Sequence, residues 1–195
     1  MEGNLGALKH KHILVAATGS VAAIRCPTVI NLILKEGAEV WLITTEHSWH
    51  FLEREESLPR SQIRIFMDVD EWNNWNKLGD PVLHIELRKW ADVFLIVPMD
   101  ANTLAKAAMG LCDNLVSSVI RAWDSKGKPL LVAPAMNTVM WEQPVTQEQL
   151  KMLESRNVIV IPTVLKQLAC GDIGYGAMAA PETIVWELKR CLSQE

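Results

Sequence analysis

The sequence predicts an α/β protein: a mainly parallel, doubly wound sheet with helices on both faces. Two observations carry that expectation. Short apolar runs rich in Val, Ile and Leu alternate along the chain with stretches of helical periodicity. The runs are apolar throughout rather than at every second position, the pattern of strands covered on both sides. The 195 residues suit one domain, residues 1–195, with a full core and no need of disulfide or metal staples.

Residues 12–17 make the first strand, which breaks at Thr18-Gly19-Ser20. Residues 21–35 follow as a helix with Ala22, Val29, Ile30, Ile33 and Leu34 on its apolar side, closed by Gly37 at the C′ position. The next strand is 39–45, then a short helix at 48–54. Between 55 and 80 the pattern is irregular, with one strand at 63–67 and an acidic, Trp-bearing turn at 68–75. Pro81 opens a helix over 82–90. A strand at 92–98, a long helix at 101–122 and a strand at 129–134 come next. Helix 146–155, strand 158–161 and helix 184–192 complete the alternation, with a glycine-rich, turn-like segment at 166–180. Residues 1–10 read as a loose tail.

Composition narrows the function. Lys and Arg number 19 against 23 Asp and Glu, a net charge of −4, which does not provide the basic face of a nucleic-acid binder. No apolar run approaches the ~18 residues of a membrane span, and the N-terminal segment lacks the apolar stretch of a signal peptide. The four cysteines, Cys26, Cys112, Cys170 and Cys191, have no metal-finger spacing and fit reduced thiols. The expectation is a cytoplasmic protein with no nucleic-acid or membrane partner.

In open parallel sheets ligands bind at the carboxyl ends of strands. There this chain places Thr18-Gly19-Ser20, Thr44-Thr45-Glu46, Pro98-Met99-Asp100-Ala101-Asn102-Thr103 and Pro134-Ala135-Met136-Asn137. Gly19-Ser20 can cradle a phosphate on backbone N–H groups or simply cap a helix; it is not the GxGxxG dinucleotide fingerprint. Asp100 to Thr103 reads as a helix start, and Asn137 as either a cap or the one polar group of an apolar pocket with Met136 and Met140. His84, near a helix N-terminus, is a candidate base or a packed histidine. His47 and His50 lack a third ligand and read as a solvated pair, and Asp68, Asp70 and Glu71 as a solvated acidic turn; no metal is expected. Cys170, among Gly171, Gly174 and Gly176, sits where a thiol could close over a ligand; Cys26, Cys112 and Cys191 fall in expected helices and read as packing.

Taken together these segments resemble the flavin-dependent cysteine decarboxylase family, in its Hal3-type branch of coenzyme A synthesis. The likeness runs from about residue 11 to 192 and rests on Gly19-Ser-Val-Ala-Ala23, Asp80-Pro-Val-Leu-His-Ile-Glu-Leu-Arg88, Ala101-Asn-Thr-Leu104, Cys112-Asp-Asn-Leu115, Arg121-Ala-Trp123, Pro134-Ala-Met-Asn-Thr138 with Met140-Trp141, and Cys170-Gly-Asp172. The resemblance implies a flavodoxin-like Rossmann fold, a homotrimer, and FMN near subunit interfaces. It implies that Gly19, Ser20, Val21, Thr45, Asp100, Ala101, Asn102, Thr103 and Ala135 hold the cofactor. It makes His84 and Cys170 catalytic, Asn137 and Met140 substrate-binding, and 166–180 a flap over the substrate. Two positions depart from the family pattern: Asp100, where serine is common, and Lys89, where arginine is common. Lysine keeps the charge but loses bidentate carboxylate binding.

The implied reaction is decarboxylation of 4'-phosphopantothenoylcysteine to 4'-phosphopantetheine, through a thioaldehyde, loss of CO₂ and re-reduction of an enethiolate. Decarboxylation of a peptide's C-terminal cysteine shares that chemistry. A flavin prenyltransferase does not fit the Pro-Ala-Met-Asn motif and Cys170, and a flavodoxin-like electron carrier leaves the Cys170 loop unexplained. The alternative from another class is a regulatory Hal3-like trimer subunit that inhibits a phosphatase. Such proteins typically carry long acidic extensions, which this sequence does not show, and His84, Asn137 and Cys170 all stand on one chain.

Overall fold

The computed structural model describes residues 6–167 and 173–193. Six strands, β1 (His12–Ala17), β2 (Glu39–Thr44), β3 (Arg64–Phe66), β4 (Val93–Met99), β5 (Leu130–Pro134) and β6 (Val158–Val160), form one parallel sheet in the order β3-β2-β1-β4-β5-β6. With the three-residue edge strand β3 set aside, the order is that of flavodoxin; with it, the six-stranded Rossmann order. The winding reverses between β1 and β4.

Strand alternation distributes the core to two faces. Ile13, Val15 and Ala17 of β1, with Val93, Leu95 and Val97 of β4, pack on α1 (Cys26–Lys35) and α9 (Pro181–Leu192). Leu14, Ala16, Phe94 and Ile96 pack on the opposite face. There they meet α4 (Leu83–Trp90), α5 (Ala101–Met109), α6 (Leu115–Ala122) and α8 (Pro144–Glu154). Every residue of β4 is buried, which explains why its sequence carries no alternation.

Several boundaries differ from the sequence expectation, each for a local reason. The helix expected at 21–35 is a 3-10 turn, Val21–Arg25, followed by α1, with Pro27 in the first turn of α1, where it has no N–H to donate back into the preceding turn. The long helix expected at 101–122 is two helices. Gly110 stops α5 at φ 77°, its N–H bonded to the Lys106 carbonyl, and Asn114 starts α6 by accepting from the Ser117 N–H at 2.8 Å. The first short helix, α2 (Glu46–Leu52), begins where Thr45 caps it rather than at 48. The acidic turn at 68–75 is a helix, α3 (Asp68–Asn74), whose carboxylates are used: Asp70 accepts from the Met67 N–H and Asp68 from the Leu115 N–H, both at 2.7 Å. The glycine-rich segment contains an antiparallel hairpin of β7 (Val164–Gln167) and β8 (Ile173–Ala177). A further short helix, α7 (Thr138–Glu142), precedes α8. Cys112 lies exposed between α5 and α6 rather than packed in a helix. Among the described residues no helix is long and apolar enough to cross a membrane.

The part of the expected tail that is described is docked. Leu8 is buried, and the Gly6 N–H donates to Glu36. Lys189 of α9 donates to the same carboxylate at 2.9 Å, joining the ends of α1 and α9. The Lys189 ammonium, with the Gly6 N–H, holds the Glu36 carboxyl below its ordinary value. A carboxylate favoured in the folded chain stabilises it above the unfolded group's value, and that gain is lost as pH falls through the lower folded value. Glu36→Gln is therefore expected to cost at most about 1 kcal/mol at neutral pH. In urea unfolding the two proteins' stabilities should converge as pH is taken down through the carboxylate range; a constant difference would mean the charge is not the cause.

Candidate functional site

The ends of β1, β2, β4 and β5 converge at the reversal of winding, where a crevice opens in such sheets. Thr18 is fully buried and joins two of these ends: its hydroxyl donates to the Pro98 carbonyl at 2.9 Å and accepts from the Asp100 N–H at 2.8 Å. Asp100 in turn caps α5 by accepting from the Thr103 N–H at 2.9 Å. Gly19 sits close against its neighbours, with little room for a side chain. A Cβ there would stand 3.0 Å from the His47 Cβ and 3.2 Å from Asp100 Oδ2. Thr45 caps α2 through the Ser48 N–H at 3.2 Å, and Ser48 ties that turn to the Ala17 carbonyl at 2.7 Å. Thr18, Thr45 and Asp100 thus belong to one hydrogen-bonded rim, with Gly19 packed beside it. Ala101 and Asn102 open α5 beside it, with Asn102 exposed and Thr103 buried.

Against this rim lies a cleft of about 570 Å³. Its walls are the 3-10 turn after Ser20, the loop from β5 to α7, the β7–β8 hairpin and the start of α9. Of the residues expected from the sequence, it brings together Ser20, Val21, Ala135 and Asn137. Ser20 caps the 3-10 turn, accepting from the Ala22 N–H at 3.3 Å, and also faces the cleft. Asn137 caps α7, accepting from the Val139 N–H at 2.8 Å, and also faces it. Capping and lining, alternatives on the sequence, are compatible here.

Arg25, Thr28 and Thr183, which arrive from α1 with its preceding turn and from α9, had no signal in the sequence, whereas Lys166 and Met178 come from the segment expected as a flap. The hairpin is held down by glycines. A Cβ on Gly174 would collide with the Thr138 side chain, and the Gly176 carbonyl accepts from the Met136 N–H at 3.0 Å. The Thr138 hydroxyl is buried without a hydrogen-bond partner among the described residues.

His84, in the first turn of α4, is not on the lining. Its Nδ1 is hydrogen-bonded to Glu71 of α3, and both side chains are largely covered. Met140 also stands off the lining, 46% exposed on α7. Lys89 pairs with Glu86 at 2.9 Å on the outer side of α4. His47 and His50 are exposed on α2, and among the described residues no group of three His, Cys, Asp or Glu side chains could hold a metal ion. Burial pushes the Cys26 thiol up to about 12, the state of a packing residue. Cys170 lies outside the described residues.

A doubly wound sheet with a hydroxyl-bearing rim at its switch point and an adjoining, mainly apolar cleft defines a protein of the nucleotide- and flavin-binding class. The chain belongs to the Flavoprotein family, whose model matches residues 3–193. It is 50% identical over 183 residues to a phosphopantothenoylcysteine decarboxylase of Mus musculus, spanning 93% of this chain and 87% of that protein. Among solved structures it is similar to a Cys→Ser mutant PPC decarboxylase complexed with pantothenoylaminoethenethiol (TM-score 0.88, 48% identity, 96% of this chain and 100% of that one). It is equally similar to "The FMN binding protein AtHal3" (TM-score 0.88, 49% identity, 96% and 99%).

Proposed function

We propose that the protein is a carbon–carbon lyase that carries out FMN-dependent decarboxylation of 4'-phosphopantothenoylcysteine to 4'-phosphopantetheine, in the cytoplasm, as a step of coenzyme A synthesis. The observation that carries this reading is the cleft at the sheet's switch point in a chain about half identical to decarboxylases of that substrate along most of its length. The residues present fit the cofactor. Val21, Ile24 and Met136 offer apolar surface to a flat ring system, while Ser20 and the N–H groups of its turn, with Arg25 nearby, offer donors to a phosphate. Gly19, Thr45, Asp100, Ala101, Asn102, Thr103 and Ala135 complete the proposed cofactor site.

When bound, FMN supplies a two-electron acceptor that returns the same electrons before turnover ends, so the reaction has no net redox. The protein's part is to hold the substrate and manage its protons. Asn137 holds the substrate by its amide, with Met140 against it. Once the thiol is a thioaldehyde, the neighbouring carboxylate loses CO₂ and its bonding electrons pass to sulfur, giving an enethiolate. His84 acts in this half, as base or by positioning the carboxylate, and Cys170 on the 166–180 flap delivers the proton that accompanies re-reduction to the saturated thiol.

Assembly as a homotrimer is part of the proposal. His84 stands off the cleft of its own chain, and beside its helix Val69, Trp72, Trp75, Leu78 and Val82 are exposed, an apolar surface suited to a second copy. The test is to mix purified protein with phosphopantothenoylcysteine, following product mass and flavin absorbance together. Wild type should be yellow and release one CO₂ per phosphopantetheine. Cys170→Ser should still release CO₂ but accumulate the enethiol, two hydrogens lighter than the product. A colourless protein that cannot take up FMN, or a yellow one without turnover, would overturn the assignment.

A further inference from the structure

We infer that Glu71 is a positioning residue for His84: its carboxylate fixes the imidazole tautomer, so that Nε2 is the nitrogen left to meet the substrate. The inference rests on the catalytic role proposed for His84 but concerns a residue that neither motif nor resemblance singles out. Glu71 lies 13 residues upstream and hydrogen-bonds His84 Nδ1 through its Oε1. Only 14% of the Glu71 side chain and 26% of the His84 side chain are exposed, which sets the pair apart from a solvated surface contact.

Both helices that present the pair are anchored from elsewhere. α3 is closed at its start by Asp70 and tied by Asp68 to the first turn of α6. The loop between α3 and α4 is drawn in by Asp80, which accepts from the Asn76 and Lys77 N–H groups at 2.8 and 2.9 Å. α4 is held at its far end, where Lys128 donates to the Arg88, Lys89 and Ala91 carbonyls. Trp90 stacks on Trp41 at 3.9 Å and on His12 at 4.8 Å. The carboxylate therefore meets the ring at a place set by the fold.

A carboxylate only accepts, so Nδ1 carries the proton it donates to Glu71, and in the neutral ring Nε2 is left with its lone pair. An isolated neutral histidine favours the other tautomer, with the proton on Nε2. Glu71 thus turns toward the substrate a nitrogen able to take a proton or accept a hydrogen bond.

The experiment uses the full-length, FMN-loaded protein and its Glu71→Ala and Glu71→Gln variants. Ring-nitrogen NMR shifts of His84, assigned by their loss in His84→Asn, are read where the ring is neutral. Wild type should show Nδ1–H, and Glu71→Ala should move to mainly Nε2–H. With phosphopantothenoylcysteine, kcat of Glu71→Ala should fall roughly 10–10²-fold with KM and flavin content changed less than about twofold. Glu71→Gln, whose amide oxygen can accept from Nδ1, should keep Nδ1–H and restore part of kcat, and it carries the test if the alanine variant does not fold. An Nε2–H tautomer in wild type, or unchanged kcat in both variants, would overturn the inference. Absence of turnover in wild type would instead sink the decarboxylase reading, with the NMR result still deciding what Glu71 does to the ring.

Discussion

Replacing His84 with asparagine is expected to leave a folded, yellow protein whose turnover has fallen by about 10²–10⁴-fold, the usual worth of a positioned acid–base group. Asparagine approximates the size of the imidazole near its backbone, so α4 keeps its capping by Lys128 and its stack through Trp90. What it lacks is a nitrogen that can exchange a proton at the reacting centre. Flavin should be retained because His84 is absent from the cleft lining, where Ser20, Val21 and Ala135 of the proposed cofactor residues stand. Parallel measurement of flavin content and kcat separates the outcomes. A variant that loses its flavin would make His84 part of the cofactor site, and one that turns over normally would remove it from the mechanism.

Gly176→Ala is expected to damage the cleft itself. Gly176 adopts φ +111°, where an L side chain is strained, and a Cβ there would stand 2.5 Å from the Met136 carbonyl oxygen and 3.3 Å from the Trp141 Cβ. The backbone strain alone costs about 1–3 kcal/mol, and the nearest obstacle is main chain, which cannot swing aside. Relief comes by lifting the hairpin off the loop from β5 to α7. That breaks the bond from the Met136 N–H to the Gly176 carbonyl and moves the hairpin wall away from Asn137. Because the main sheet does not use this hairpin, the expected signature is selective. kcat/KM should fall at least about tenfold, and proteolytic cleavage within 164–177 should quicken, with the global unfolding midpoint little changed. Wild-type kcat/KM with unchanged protection would show that the hairpin does not shape the site.

The two expectations differ in how far the sequence foreshadowed them. His84 stands out within Asp80-Pro-Val-Leu-His-Ile-Glu-Leu-Arg88, and its placement at the start of a helix is met by α4. Its partner Glu71 reads in the sequence as part of a solvated acidic turn, since three carboxylates in four residues look alike until each finds its acceptor role. In the fold Asp68 serves α6, Asp70 its own helix, and Glu71 the imidazole. Gly176 was legible only as one glycine among several. The positive φ and the Met136 carbonyl that make it irreplaceable arise from the hairpin's docking. At the rim, the small residues after β1 were visible, but the close approach of His47 and Asp100 to Gly19 was not.

The doubly wound sheet, and the hydroxyls, amides and small residues at its strand ends, are legible in the chain's local pattern. Those features follow from interactions a few residues apart: strand burial, helix periodicity, glycine stops and side-chain caps. Helix breaks were less legible, because Gly110 and Pro27 act within an otherwise continuous apolar pattern. The wall of the cleft, the docking of residues 6–10 on Glu36, the tie from Lys189 to the same carboxylate, and the pairing of Glu71 with His84 come from the assembled fold. Each of these joins segments far apart in the chain or turns on the direction of one side chain, which winding of the sheet and packing of the helices set and local periodicity does not encode.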